Sequence, residues 1–176
     1  KDPAADLFAA EISENSGGQT FRLHYRDRSF QVRLPLPGRF NIENCLAALL
    51  AVSGISGQEL PDYFPSVESL RAIRGRMVPV DLGQPFRVIV DYAHTPGSFE
   101  KLFPSLREQV KNRLIAVFGS AGERDIDKRS IQGQIASKYC DYIVLTDEDP
   151  RGEDPGSILE DIASGCPGMQ RDKNLL

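Results

Sequence analysis

Histidine and cysteine are scarce in this chain: its 176 residues include two histidines, His24 and His94, and three cysteines, Cys45, Cys140 and Cys166. Two histidines give a Ser-His-Asp triad little to work with, and no Gly-x-Ser-x-Gly elbow is present to carry its nucleophile. No Cys/His grouping has the spacing of a zinc site. The cysteines are odd in number and far apart, with Cys45 on an apolar helical stripe and Cys140 just before a strand. Buried free thiols are therefore expected rather than disulfides, which points to a reducing, cytoplasmic setting. An excess of basic charge is also missing. The 21 Lys and Arg against 25 Asp and Glu give a net charge of −4, which offers no support for nucleic acid or an anionic membrane as a partner. No apolar run approaches the length that spans a bilayer, and the opening residues do not read as a signal peptide. Gly119-Ser-Ala-Gly122 follows a strand. It lacks the Gly-Lys-Ser/Thr that closes a Walker A loop and the third glycine of a dinucleotide-binding turn.

The composition is that of an ordinary globular protein, 40% hydrophobic and 26% charged, in a length that suits one large domain or two small ones. The chain begins with Lys1 and closes on Asp-Lys-Asn-Leu-Leu, with neither cap nor closing strand, so a piece of something longer is expected.

Residues 7–12 read as a short strand and Ser16-Gly17-Gly18 as a turn. Phe21, Leu23 and Tyr25 alternate with Arg22, His24 and Arg26. Phe30, Val32 and Leu34 then alternate with Gln31 and Arg33, which predicts an antiparallel hairpin with one wet face that holds His24. Pro35-Leu36-Pro37-Gly38 closes the hairpin. Ile42, Cys45, Leu46, Leu49 and Leu50 form a helical stripe that should stop at Gly54. Asn41 stands where an N-cap belongs, with Asn44 a turn later. The pair reads either as cap and surface residue or as two carboxamides facing the edge of a base. A short amphipathic piece, Val67 to Ile73, precedes the basic run Arg71-Ala-Ile-Arg-Gly-Arg76, where a domain boundary is placed at 73/74.

Beyond it the pattern alternates between strand and helix. Strand 86–91, with its core Val88 to Asp91, reads as buried on both faces. Thr95 and Pro96 then open a helix along Phe99, Leu102, Phe103, Leu106 and Val110, with Pro104 expected to kink or restart it. Strand Leu114–Gly119, loop Ser120–Asp127 and helix 128–139 follow. After them come strand Tyr142–Thr146, loop Asp147–Asp154 and a helix near 156–164. Three strands joined by crossover helices imply a parallel sheet whose strand-end loops open on one edge, where ligands of such folds bind. That edge would collect Asp91 and His94 from the first loop. The second would supply Glu123, Arg124, Asp125, Asp127, Lys128 and Arg129, and the third Asp147, Glu148, Asp149 and Arg151. Such mixed charge suits a zwitterionic or phosphorylated ligand.

Several motifs in order carry a resemblance. Gly38-Arg-Phe-Asn-Ile-Glu-Asn44, Gly75-Arg-Met77 and Asp91-Tyr-Ala-His-Thr-Pro96 resemble the ATP-dependent Mur ligases. Phe118-Gly-Ser-Ala-Gly-Glu-Arg-Asp125 with Lys128-Arg129, and Thr146-Asp-Glu-Asp-Pro-Arg-Gly-Glu-Asp-Pro155, narrow it to the MurE branch, the UDP-N-acetylmuramoyl-tripeptide synthetases of peptidoglycan synthesis. The resemblance implies an α/β fold. Residues 1–73 would be the hairpin-plus-helix tail of a central ATPase domain, and 74–176 a truncated C-terminal domain with a Rossmann-like parallel sheet and flanking helices. It puts the Walker A loop, a carbamoylated lysine and the magnesium ligands upstream, and a substrate-gripping Gly-His-Glu segment downstream, so this chain alone would be inactive. By the same resemblance Asn41 and Asn44 lie at the adenine of ATP, Arg76 reaches the phosphates, and Asp91 bonds the ribose with His94 nearby. Arg124 and Arg151 hold the carboxylate of the incoming amino acid, beside Glu148 and Asp149. The substrates implied are UDP-MurNAc-dipeptide and a diamino acid. Glu148-Asp149-Pro150-Arg151 mixes the patterns of diaminopimelate-adding and lysine-adding enzymes. The charge of Asp149 leans the choice toward lysine or ornithine over meso-diaminopimelate. The alternatives are another ligase of the superfamily, folylpolyglutamate or cyanophycin synthetase-like, and a nucleotide-binding module without catalysis.

Overall fold

The computed structural model describes residues 5–15, 17–71 and 73–176. Ser16, in the expected turn, and Ala72, in both the 67–73 piece and the basic run, lie outside the described residues. The chain divides into two compact units, residues 1–92 and 93–176.

In the first unit β1 (Leu7–Asn15), β2 (Gly18–Tyr25) and β3 (Arg28–Leu34) form an antiparallel meander. The expected alternation holds. Phe21, Leu23, Val32 and Leu34 are fully buried, and each such side chain contributes roughly 1.5–3 kcal/mol. Across the sheet His24 stacks on Phe8, ring centroids 4.6 Å apart. Helix α1 (Phe40–Ser56) packs Ile42, Cys45 and Leu49 into the same core. It does not stop at Gly54 as expected. It runs on to Ser56 and ends at Gly57, whose φ of 73° is the left-handed conformation that glycine adopts without strain. Nor is Asn41 its cap: that place falls to Arg39, and Asn41 lies inside the first turn. A 3-10 turn at Leu60–Tyr63 leads to the short α2 (Phe64–Glu68), so among the described residues of the 67–73 piece only Val67 and Glu68 are helical.

The largest departure from expectation concerns strand 86–91. Only Val88–Val90 is a strand (β5), and its partner is β4 (Val78–Val80), antiparallel. Val88 and Val90 are exposed rather than buried on both faces. The hairpin groups with the first unit, where it meets the 35–37 loop across a cleft of about 200 Å³. An apolar run identifies a strand without naming its neighbour, and here the neighbour is a local hairpin partner.

In the second unit β6 (Ile115–Phe118) and β7 (Tyr142–Leu145) pair in parallel, as a crossover helix between them requires. The three-stranded parallel sheet is thus reduced to these two strands, with Leu175 bridging to the free side of β7. Helices α3 (Pro96–Gln109), α4 (Asp127–Tyr139) and α5 (Pro155–Ser164) pack in sequence, α3 on α4 and α4 on α5. Thr95 caps α3 in a reciprocal capping box with Ser98, and Pro96 takes the first turn as expected. The helix is continuous through Pro104. Ala116 is buried while Ile115 and Val117 remain more than half exposed. All three cysteines are buried free thiols; burial pushes Cys45 up to about 11 and Cys140 up to about 12. Among the described residues no single helix is long and apolar enough to cross a membrane.

Candidate functional site

In the first unit the loop between β3 and α1 is held from behind. The buried Gln19 donates from Nε2 to Leu36 O at 2.8 Å and Gly38 O at 2.9 Å, and Glu14 accepts from Gly38 N at 2.6 Å. Asn41, 3% exposed, donates to Pro37 O at 2.6 Å and accepts from Asn44 Nδ2 at 3.4 Å. The two asparagines therefore meet. Asn41 spends its carboxamide on the loop and on its neighbour, while Asn44 is exposed.

The motifs of the β4–β5 hairpin also meet. Asp91 Oδ2 accepts from the N–H of Met77 at 2.9 Å, and Tyr92 N–H donates to Gly75 O at 2.8 Å. The end of β5 thus clamps the Gly75-Arg76-Met77 turn, whose Gly75 has φ 72° and whose Met77 is buried. Arg76 is exposed. With Arg87, Met77, Ile89, Leu36 and Pro37 it lines the 200 Å³ cleft.

In the second unit two loops lie at the carboxyl ends of the parallel strands, 119–126 after β6 and 146–154 after β7. They are interlocked. Thr146 N–H donates to Phe118 O at 3.1 Å, and Gly122 N–H donates to Asp149 O at 2.8 Å. A Cβ on Gly122 would stand 1.9 Å from Pro150 O, so only glycine allows this approach. Arg124 and Arg151, one from each loop, are exposed. Arg151 uses Nε on Asp149 Oδ2 at 3.3 Å, and among the described residues neither its terminal nitrogens nor Arg124 has a partner. Glu148 is exposed on the same loop. His94 precedes α3, and its carbonyl accepts from Lys128 Nζ at 3.4 Å. β5 pairs with β4 and not with β6 or β7, so the three strands expected in one parallel sheet do not share one; the loops after β6 and β7 meet. Among the described residues no group of His, Cys, Asp or Glu could hold a metal ion.

The residue that joins these loops is Arg129, which the sequence groups with the other charges of the second loop. Arg129, 1% exposed, donates from Nη2 to Glu153 Oε1 at 3.0 Å and pairs ionically through Nη1 with Glu153 Oε2 at 2.9 Å. It also reaches Asp161 at 2.9 Å and Ala121 O at 3.4 Å. Glu153 in turn accepts the N–H of Glu123. The guanidinium and that N–H, in this order of weight, hold the Glu153 carboxyl below the usual carboxylate range. A signal existed: Arg129, Gln132, Gly133 and Ala136 share one face of α4, and that face is the buried one. It carries no apolar stripe, so periodicity alone passes over it.

Comparison with known proteins supplies the lineage. Residues 75–174 match the model of the Mur ligase glutamate ligase domain, and residues 1–52 that of the Mur ligase middle domain. The chain belongs to the Mur ligase family. Among similar Mur ligases, the UDP-N-acetylmuramyl-tripeptide synthetase of Borreliella burgdorferi is 45% identical over 175 residues, 99% of this chain and 34% of that protein. The UDP-N-acetylmuramoyl-L-alanyl-D-glutamate–2,6-diaminopimelate ligase of Syntrophomonas wolfei is 41% identical over 171 residues, 96% of this chain and 34% of that protein. The chain thus spans about a third of the length of the curated relatives it matches. Mycobacterium tuberculosis folylpolyglutamate synthase complexed with ADP superimposes with a TM-score of 0.77 at 19% identity, over 98% of this chain and 38% of that one, a likeness of mixed α/β fold alone.

Proposed function

We propose that this chain is part of a MurE-type ligase that adds a diamino acid, the third residue, to UDP-N-acetylmuramoyl-L-alanyl-D-glutamate. Residues 1–73 would close its ATP-binding middle domain and residues 74–176 would open a C-terminal domain built on a Rossmann-like parallel sheet. ATP phosphorylates the D-glutamate side-chain carboxylate and leaves as ADP. The free amine of the incoming amino acid attacks the acyl carbon, the C–O bond to phosphate breaks, and inorganic phosphate departs as the amide forms. Magnesium would neutralise phosphate charge, with ligands outside this chain. In this reading Asn44 faces the adenine edge with Asn41 fixing it from behind. Arg76 reaches toward phosphate from a turn that Asp91 holds, Asp91 also faces the ribose, and His94 lies at the head of α3 nearby. Arg124 and Arg151 clamp the amino-acid carboxylate, a pairing that suits two planar forks.

The observation that carries the proposal is the pair of loops fastened at Gly122 and Asp149, each offering an arginine whose terminal nitrogens have no partner among the described residues. Asp149 lies on Arg151 Nε, so its charge is partly met within the loop, yet its exposure leaves it able to receive an ammonium group. This favours lysine or ornithine over meso-diaminopimelate as the third residue. The test is phosphate release by the complete polypeptide, given ATP, UDP-MurNAc-dipeptide and each amino acid in turn. Release with one diamino acid is expected. Arg151→Ala should raise KM for that amino acid about tenfold or more while KM for ATP stays within about twofold. Equal loss for both substrates would make the loop structural, and no release with any diamino acid would remove the proposal.

A further inference from the structure

We infer that Arg129 is a positioning residue for the amino-acid site: clasped by Glu153, it sets the spacing at which Arg124 and Arg151 stand. The inference rests on the reading of these two loops as the amino-acid clamp, and it names the group that keeps the clamp in register.

A buried arginine is costly to place, and here its bonds are distributed across the two loops. One terminal nitrogen reaches Ala121 O in the first loop and Glu153 in the second, while the other reaches Glu153 and Asp161 of α5. Glu153 then returns to the first loop through the N–H of Glu123, the residue before Arg124. The circuit therefore closes one residue from Arg124 on one side and two from Arg151 on the other. A second fastening, Gly122 N–H to Asp149 O, lies beside it. Arg129 is not itself a ligand candidate: it is 1% exposed and both its terminal nitrogens are engaged. Its Nε, like Ser120 Oγ and both amide atoms of Gln132 one turn along α4, has no partner among the described residues. The guanidinium is thus held by its fork alone, a geometry that lysine, with one terminal nitrogen, cannot reproduce.

The experiment uses the complete polypeptide. Glu153→Ala and Arg129→Lys are each expected to raise KM for the amino acid about tenfold or more, with KM for ATP within about twofold, because a displacement near 1 Å in a bound-state geometry can cost up to about 100-fold. The double variant should be no worse than the poorer single one, since both break one circuit. Arg124→Ala and Arg151→Ala run alongside. If those two raise KM for the amino acid and the Glu153 and Arg129 variants do not, the positioning role falls and the clamp stands. If none of the four moves it, the clamp falls, and the inference with it. Should either variant fail to fold, hydrogen exchange on the unaltered protein decides: a slowly exchanging Glu123 amide upholds the circuit, and a freely exchanging one overturns it.

Discussion

Replacing Gly122 by alanine tests the interlock of the two loops directly. The added methyl would meet Pro150 O at 1.9 Å and Pro150 C at 2.7 Å, and these are backbone atoms that cannot rotate away. Side-chain carbons in folded proteins keep at least 3.0 Å from such atoms, so the loops must part by about 1.1 Å. A shift of that size stretches the Gly122–Asp149 hydrogen bond from 2.8 Å to roughly 3.9 Å, beyond the range of a bond. Losing it costs about 1 kcal/mol, and the overpacking about 1–3 kcal/mol more. Part of the strain relaxes into exposed loop, so a net loss near 2 kcal/mol is expected, which lowers Tm by about 8–16 °C in a unit the size of residues 93–176. Because Arg124 and Arg151 ride on the parted loops, KM for the amino acid should rise about 10- to 100-fold. Gly152→Ala is the control. Its methyl would meet only Glu123 Oε1, at 2.8 Å, the far end of a flexible side chain. Thermal denaturation and steady-state kinetics on both variants settle the matter, and a Gly122→Ala protein indistinguishable from Gly152→Ala would refute the interlock.

Two further outcomes concern stability. Gly133→Ala should lose about 1–2 kcal/mol, because its methyl would stand 2.1 Å from Ile162 O where α4 crosses α5. Gly54→Ala, inside α1 with nothing within 4 Å, should gain up to about 1 kcal/mol from helix propensity; urea midpoints that move in the same direction for both would contradict the packing. Asp141 accepts from Leu114 N–H and from Arg107 Nη1, both at 2.7 Å, and these contacts, the backbone bond first, hold its carboxyl below the usual range. A depressed carboxylate contributes stability above the unfolded pKa of about 3.9 and loses it as pH falls through the folded value. Asp141→Asn should therefore cost roughly 1 kcal/mol at neutral pH, a modest figure because the side chain is part exposed, and the gap from the parent should close on acidification. Urea curves showing a gap of constant size down to about pH 2 would rule out that linkage.

The sequence by itself determined the elements whose information is local. Alternation along Phe21–Tyr25 and Phe30–Leu34 sets the inward face of the meander, because side chains in a strand switch sides at every residue. Thr95, Pro96 and Ser98 define the start of α3 because a helix N-terminus is completed by its own next turn. The run of motifs, in its order and spacing, marks the chain as a Mur ligase.

Tertiary structure alone decided which strands pair and which charges are buried. Val88–Val90 has the composition of a parallel core strand, yet it pairs with the three-residue strand Val78–Val80, since hydrogen-bond partners come from a second segment that composition does not specify. Gly57 rather than Gly54 ends α1, because a glycine terminates a helix only where the chain turns left-handed. Arg129 shows the same limit most sharply. Asp127 and Lys128 beside it are more exposed, and the α4 face that Arg129 shares with Gln132, Gly133 and Ala136 carries no apolar stripe to mark it as buried. It is buried because Glu153 and Asp161, 24 and 32 residues away, come back across α4 and supply the oxygens that make burial affordable.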